Sequence, residues 1–153
     1  MARSQHIGQL PSGQQLSVRV GGQEFAIDAE YVRELRGYAP LTLRPQAPPY
    51  LVGLLDLRGT VIPVIDLALR LGLSAPKPTP MSVIVVLESS RGLFGLLVDE
   101  VCDLLSVDEG LGDMHVSGPE EGDEQFIAGA IALPSGIINL LRTDNLFAPG
   151  AKT

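Results

Sequence analysis

A mainly β fold, laid out as two small barrels of strands within one domain, is the class this sequence predicts. Three observations carry it. Apolar runs rich in Leu, Val and Ile recur along the chain, each of roughly four to eight residues, a strand's length rather than a helix's. Seventeen Gly and twelve Pro fall mostly between those runs, where reversals of the chain need positive or fixed φ. The hairpin order of the first half returns in the second without detectable sequence repetition, so two barrels are expected. At 153 residues the chain is one domain, long enough to bury about 68–70% of the surface it exposes unfolded. With three Tyr, four Phe and no Trp, its core rests on aliphatic side chains.

Residues 1–14 are polar, contain Pro11 and Gly13, and are expected to form a flexible N-terminus. The run LSVRVGGQEFAI (16–27) alternates, with Leu16, Val18 and Val20 on one face and Phe25 and Ile27 after the break. Gly21-Gly22 suits a two-residue hairpin turn. Residues 28–38 admit two readings: a short helix capped by Asp28 and ended by Gly37, or a turn leading into a strand that holds Val32 and Leu35. Four prolines make 39–50 an extended connection.

Residues 51–57 and 60–66 read as a second hairpin with Arg58-Gly59 at its break, and Pro63 puts its strand at an edge or a bulge. In 66–73, Leu67 and Leu71 have helical spacing, with Asp66 as cap and Gly72 as stop. SAPKPTP (74–80) reads as a linker, expected near the crossing between a first barrel at about 15–73 and a second at about 81–147. Residues 81–101 form a third strand pair. The acidic stretch 102–125 reads mostly as surface loop. FIAGAIALPSGIINLL (126–141) is a fourth pair turning at Pro134-Ser135-Gly136, and RTDNLF (142–147) a capped terminal turn. Helix is confined to short segments near 28–34, 67–72 and 143–147.

Charge and composition exclude several functions. A net charge of −7 and a pI near 4.7 leave no basic footprint for nucleic acid or for an anionic membrane surface. No apolar window reaches the roughly 18–20 residues that a membrane-spanning helix needs, and the N-terminus lacks a signal peptide's apolar stretch. The single cysteine, Cys102, fits a reducing cytoplasm. Of the two histidines, His6 and His115, neither has metal-ligand spacing to Cys102 or to the other, so no metal is expected. Cys102 lies among apolar residues and reads first as a small packed side chain. Asp66, Asp99, Glu100 and Asp103 recur without a defined pair, and caps or solvated strand faces account for them. The acidic residues of 108–124 lack the tight spacing of a calcium loop. With no phosphate loop either, neither a cofactor nor an enzyme is expected.

The segment VGLLDLRGTVIPVIDLALRLGL (52–73) resembles the central signature of the CheW-like family: an apolar strand, Asn-Leu-Arg-Gly, a Pro-containing strand, then Asp-Leu and a short helix. GLFGLLVDEVCDLL (92–105), YVRELRGY (31–38) and GIINLL (136–141) resemble three further segments of that family, in its order. The resemblance spans roughly 16–147 within a domain at 15–150. One departure stands out: Asp56 replaces the usual Asn, keeping the acceptor and losing the amide donor.

The resemblance implies two five-stranded SH3-like β-barrels side by side, with short helices. It also implies a non-catalytic adaptor, cytoplasmic and recruited to membrane-associated arrays, that joins chemoreceptor tips to the histidine kinase CheA through the kinase's regulatory domain. Because the chain starts at Met1 near the domain and lacks phospho-accepting and ATP-binding domains, it resembles the stand-alone adaptor. Two rivals are a regulatory module of a larger sensor kinase and a small-ligand-binding barrel or unrecognised enzyme.

By its motif positions the resemblance places Val32, Gly95, Val101 and Leu104 along a receptor-facing groove at the barrel junction. The alternative is that they are plain core. It also sets Glu34 beside Arg58, in a segment where Asp56, Arg58 and Gly59 interrupt an apolar run. A turn, a buried ion pair and a docking surface are all expected there. Arg58 is expected to pair with Glu34 rather than with Asp56, since a guanidinium fork holds a carboxylate in fixed geometry.

Overall fold

The computed structural model describes residues 13–74, 77–107, 115–117 and 125–147. The first hairpin is β1 (Gly13–Val20) and β2 (Gln23–Asp28), reversing at Gly21 and Gly22 with φ of 58° and 81°. Both values lie in the left-handed region that a type I′ hairpin turn requires. Asp28 then accepts a hydrogen bond from Glu30 N and caps a single 3₁₀ turn, Ala29–Tyr31. The second of the two readings for 28–38 holds beyond it, because β3 runs over Val32–Gly37.

The second hairpin is β4 (Leu51–Leu57) and β5 (Thr60–Asp66), and α1 (Leu67–Arg70) follows directly. Then come β6 (Val83–Ser89), β7 (Gly92–Val98) and β8 (Glu100–Val107). The last elements are β9 (His115–Ser117), β10 (Ile127–Leu133), β11 (Gly136–Leu141) and α2 (Thr143–Leu146).

The fold is mainly β with short helices, as expected. Its strands form one sheet in the order β8-β1-β2-β11-β10-β9 and another in the order β3-β6-β7-β5-β4. Counting the three-residue β9, the first sheet has six strands rather than five. The expected division at 15–73 and 81–147 does not match these sheets, because each draws on both halves of the chain. The segment 74–80 joins β5 and α1 to β6 within the second sheet. The chain instead crosses between sheets at the 3₁₀ turn and at Asp99. Pairings between the halves make the exchange: β1 with β8 and β3 with β6 run antiparallel, and β2 with β11 and β5 with β7 run parallel.

Three apolar clusters follow. One lies between the sheets, where Leu16, Val18, Val20, Phe25 and Ile27 meet Ile65, Val85, Leu87, Phe94, Leu96 and Val98. The second sheet's other face buries Leu55, Ile62, Val64, Ile84 and Val86. Alternate residues of β6 thus enter two cores, which is why that strand reads as a continuous apolar run. The first sheet's other face is thinner, holding Ala26, Ile131, Ile138 and Leu140 beside the buried Ser17 and Gln15.

Three local expectations need correction. Pro63 sits in an interior strand, but β7 pairs with β5 only from Val64 onward. Leu54, opposite Pro63, gives both backbone groups to Thr42, so the missing N–H disturbs no ladder there. Residues 102–107 are strand rather than loop, because β8 pairs with β1 along its length; residues 108–114 and 118–124 lie outside the described residues, as do 1–12. Arg142, before α2, makes no side-chain cap, so the terminal turn is uncapped.

Asp66 behaves as expected, its Oδ1 accepting from Leu69 N at 3.1 Å, and Gly72 ends the helix with φ of 79°. Burial pushes the Asp66 carboxyl above its usual range, with the nearby Asp99 charge adding to the shift. A carboxyl whose folded pKa is raised stabilises the fold most when protonated, and that contribution is lost as pH rises through the folded value. Charged Asp66 therefore costs stability at neutral pH. Asp66→Asn keeps an equivalent cap acceptor and removes the charge. It is expected to raise Tm at neutral pH, with the gain shrinking as acidification protonates Asp66 in the parent; thermal melts across pH check this.

Candidate functional site

Among the described residues, β8 lies at one edge of the first sheet and β3 at one edge of the second. A groove of about 420 Å³ runs between them. Val32 and Leu35 line it from β3, and Val101, Cys102, Asp103 and Leu104 from β8, with Ala29 of the 3₁₀ turn and Gln14 and Leu16 of β1. Leu35 and Leu104 are 48% and 51% exposed, an unfavourable position for two leucines unless something covers them.

Both walls owe their apolar face to a bulge. In a regular strand, residues three apart point to opposite faces. In β3 the pairing to β6 slips between Val32↔Leu87 and Glu34↔Val86, leaving Arg33 as the extra residue. In β8 the pairing to β1 slips between Ser17↔Asp103 and Val18↔Val101, leaving Cys102 extra. Each bulge resets the alternation by one, so Val32 joins Leu35 and Val101 joins Leu104 on the groove side. Three of the four expected groove residues, Val32, Val101 and Leu104, are thus brought together, and Val101 is only partly buried.

Gly95 is not with them. It is buried in β7, in register with Val64 on one side and Val86 on the other. A Cβ there would lie 2.7 Å from Ile84 Cγ2 and 3.2 Å from Val64 Cγ2. Its place in the pattern reflects close packing of the second sheet's core, and its assignment to the groove is corrected. Leu35 was missed by sequence reasoning. The signal was the spacing of three that Val32–Leu35 shares with Val101–Leu104, legible only once a bulge is allowed.

Glu34 lies on β3 between Val32 and Leu35. Its Oε1 accepts from Arg58 Nη2 at 2.8 Å, and its Oε2 accepts from Arg36 Nη1 at 3.1 Å. The hydrogen bond from Arg58, then that from Arg36, holds the Glu34 carboxyl below its ordinary value, and Glu34 raises Arg58 in turn. Asp56 does not compete: its Oδ1 accepts from Gly59 N at 2.8 Å. Arg58 and Gly59 take φ of 53° and 93°, so a non-glycine residue occupies a left-handed position, and the Asp56 acceptor helps hold it there.

Only the acceptor of Asp56 is used, and an aspartate serves that role as well as an asparagine. The pair itself is not buried as expected, since the Arg58 side chain is 69% exposed and that of Glu34 28%. A two-residue turn at the end of a hairpin projects its side chains into solvent.

The remaining carboxylates are structural. Asp99 Oδ2 accepts from Gly21 N at 3.0 Å, Glu100 pairs with Arg19 at 2.9 Å, and Asp103 Oδ1 accepts from Leu104 N. Arg33 pairs with Glu88 beside β3. Among the described residues, no three His, Cys, Asp or Glu side chains are placed to hold a metal ion. Burial pushes the Cys102 thiol up, away from the thiolate that a nucleophile needs. The arrangement presents an apolar cleft with a charged rim, which suits protein recognition.

Comparison with known proteins agrees in extent and kind. The family model described as CheW-like domain matches residues 14–149. The chain is 38% identical over 133 residues to a probable chemotaxis protein CheW of Rhizobium etli, covering 87% of this chain and 86% of that protein. It is 37% identical to the chemotaxis protein CheW of Rhizobium meliloti, covering 86% and 85%. The crystal structure of the scaffolding protein TtCheW from Thermoanaerobacter tengcongensis superposes with a TM-score of 0.82 at 25% identity, covering 93% of this chain and 97% of that one.

Proposed function

The chain belongs to the CheW-like family as a non-catalytic chemotaxis scaffold, and from that premise we propose that the β3–β8 groove is where it holds the tips of chemoreceptors. The supporting observation is the cleft itself: Val32, Leu35, Val101 and Leu104 converge from two sheets on one solvent-open face. The partner's apolar ridge fills the cleft, and the rim fixes its orientation. The second partner in this reading is the regulatory domain of the histidine kinase CheA, so the scaffold joins receptor to kinase. It acts in the cytoplasm beside receptor arrays; among the described residues no helix is long and apolar enough to cross a membrane. Co-sedimentation of the purified protein with receptor-tip fragments and kinase tests this. Saturable recovery of all three together is the expected result, and absence of the protein from the receptor pellet overturns it.

The Glu34–Arg58 pair supports this surface by orienting the hairpin turn next to β3. Arg58→Ala and Glu34→Ala are each expected to impair receptor–kinase coupling to a similar degree, and the double variant by less than their sum. Coupled-kinase assays on the four proteins check this; fully additive losses mean that the residues act separately. Because the folded pKa of Glu34 is lowered, the pair's contribution is present above the unfolded value and is lost as pH falls through the folded one.

A further inference from the structure

One guanidinium outside the groove touches the terminal helix and the residues that lead into one strand of each sheet. Arg70, the last residue of α1, donates from Nε to Leu146 O at 2.9 Å and from Nη2 to Asn145 O at 3.4 Å. Its Cζ lies 3.9 Å from the centroid of the Tyr50 ring and 4.8 Å from that of Phe126. These partners come from different parts of the fold. Tyr50 immediately precedes β4 of the second sheet, and its carbonyl accepts from Asp66 N at 2.8 Å. Phe126 immediately precedes β10 of the first sheet, and its carbonyl accepts from Arg142 N at 2.7 Å. Leu146 is fully buried in the core between the sheets.

A planar cation can lie against ring faces while its edge bonds carbonyls, which a lysine cannot do in the same geometry. Among the described residues no carboxylate pairs with Arg70, so ring faces and carbonyl dipoles hold its charge, and burial lowers its pKa.

The groove walls β3 and β8 belong to different sheets, so the groove's width follows the angle between those sheets. The geometry points to Arg70 as a positioning residue for partner binding: it pins the two sheets and α2 together and thereby sets the groove at a distance, without lining it. This rests on the reading of the groove as the receptor surface.

The test compares wild type, Arg70→Met and Arg70→Lys by two measurements. Methyl NMR of the partner-free protein reads Val32, Leu35 and Leu104. Titration with a soluble receptor-tip fragment reads affinity, at a temperature where circular dichroism shows each variant folded. Arg70→Met is expected to shift the groove methyls and to weaken binding about threefold to tenfold, with Arg70→Lys between it and wild type. Unchanged groove methyls overturn the proposal, and so do shifted methyls with unchanged affinity. Failure of wild type to bind the fragment overturns the groove reading instead, while the methyl shifts still decide whether Arg70 sets the sheet angle. Should Arg70→Met not fold, Tyr50→Leu, which removes one ring and leaves the carbonyl contacts, carries the same expectations.

Discussion

Leu104→Asp is expected to weaken binding of a receptor-tip fragment by about thirtyfold or more, the scale of an interface hot spot, while leaving thermal unfolding almost unchanged. Leu104 is 51% exposed in the free protein and lies outside the buried clusters, and substitutions at such surface positions cost about 0.5 kcal/mol or less. Binding is different. A carboxylate at the centre of an apolar cleft, next to the existing Asp103, would be desolvated without a partner. Titration calorimetry and a melting curve on the same sample separate the two effects. Loss of the fold together with binding would show that Leu104 is core and that the groove is misassigned. Leu35→Asp on the facing wall carries the same expectation and tests whether both bulged strands contribute.

Phe94→Ala is expected to have the largest effect on stability, a loss of about 3–5 kcal/mol from a total of about 5–15 kcal/mol for a domain of this kind. Phe94 is fully buried in the cluster between the sheets, and its ring stacks on Phe147 with centroids 5.3 Å apart. Removing it opens a cavity where both sheets and the segment after α2 meet, so the walls cannot collapse independently. Urea unfolding should show a lower midpoint with an unchanged slope. Phe147→Ala should cost less, because Phe147 is only partly buried and its loss can be filled by solvent. Equal losses for the two variants would mean that the stack, rather than the buried volume, carries the energy.

Much of the fold was legible because its turns are chemically explicit. Gly21-Gly22 and Arg58-Gly59 mark two hairpins, and β4 and β5 span the residues expected of them. Asp66 and Gly72 bound α1 as capping chemistry requires. The resemblance also set Glu34 beside Arg58, and the two side chains meet at 2.8 Å. Two features were hidden. β8 read as loop because an edge strand is half solvated, and Asp103 and Ser106 give it a surface composition. Gly95 read as a groove residue because a motif position does not say whether a glycine is needed for an approaching partner or for its own sheet.

The sequence by itself determined the local elements: which runs are extended, where the chain reverses, which side chains cap, and that no apolar run is long enough for a membrane-spanning helix. These depend on φ preferences and hydrogen bonds within a few residues, so each segment carries its own answer. Only the tertiary structure decided which strands share a sheet, which lie at its edges, and where the bulges fall. Glu24 and Asn139, 115 positions apart, meet because β2 and β11 run side by side. A backbone N–H pairs equally well with any carbonyl of suitable geometry, so the choice of partner falls to the packing of three cores at once. The groove, formed where two sheet edges and two register slips coincide, is a product of that choice.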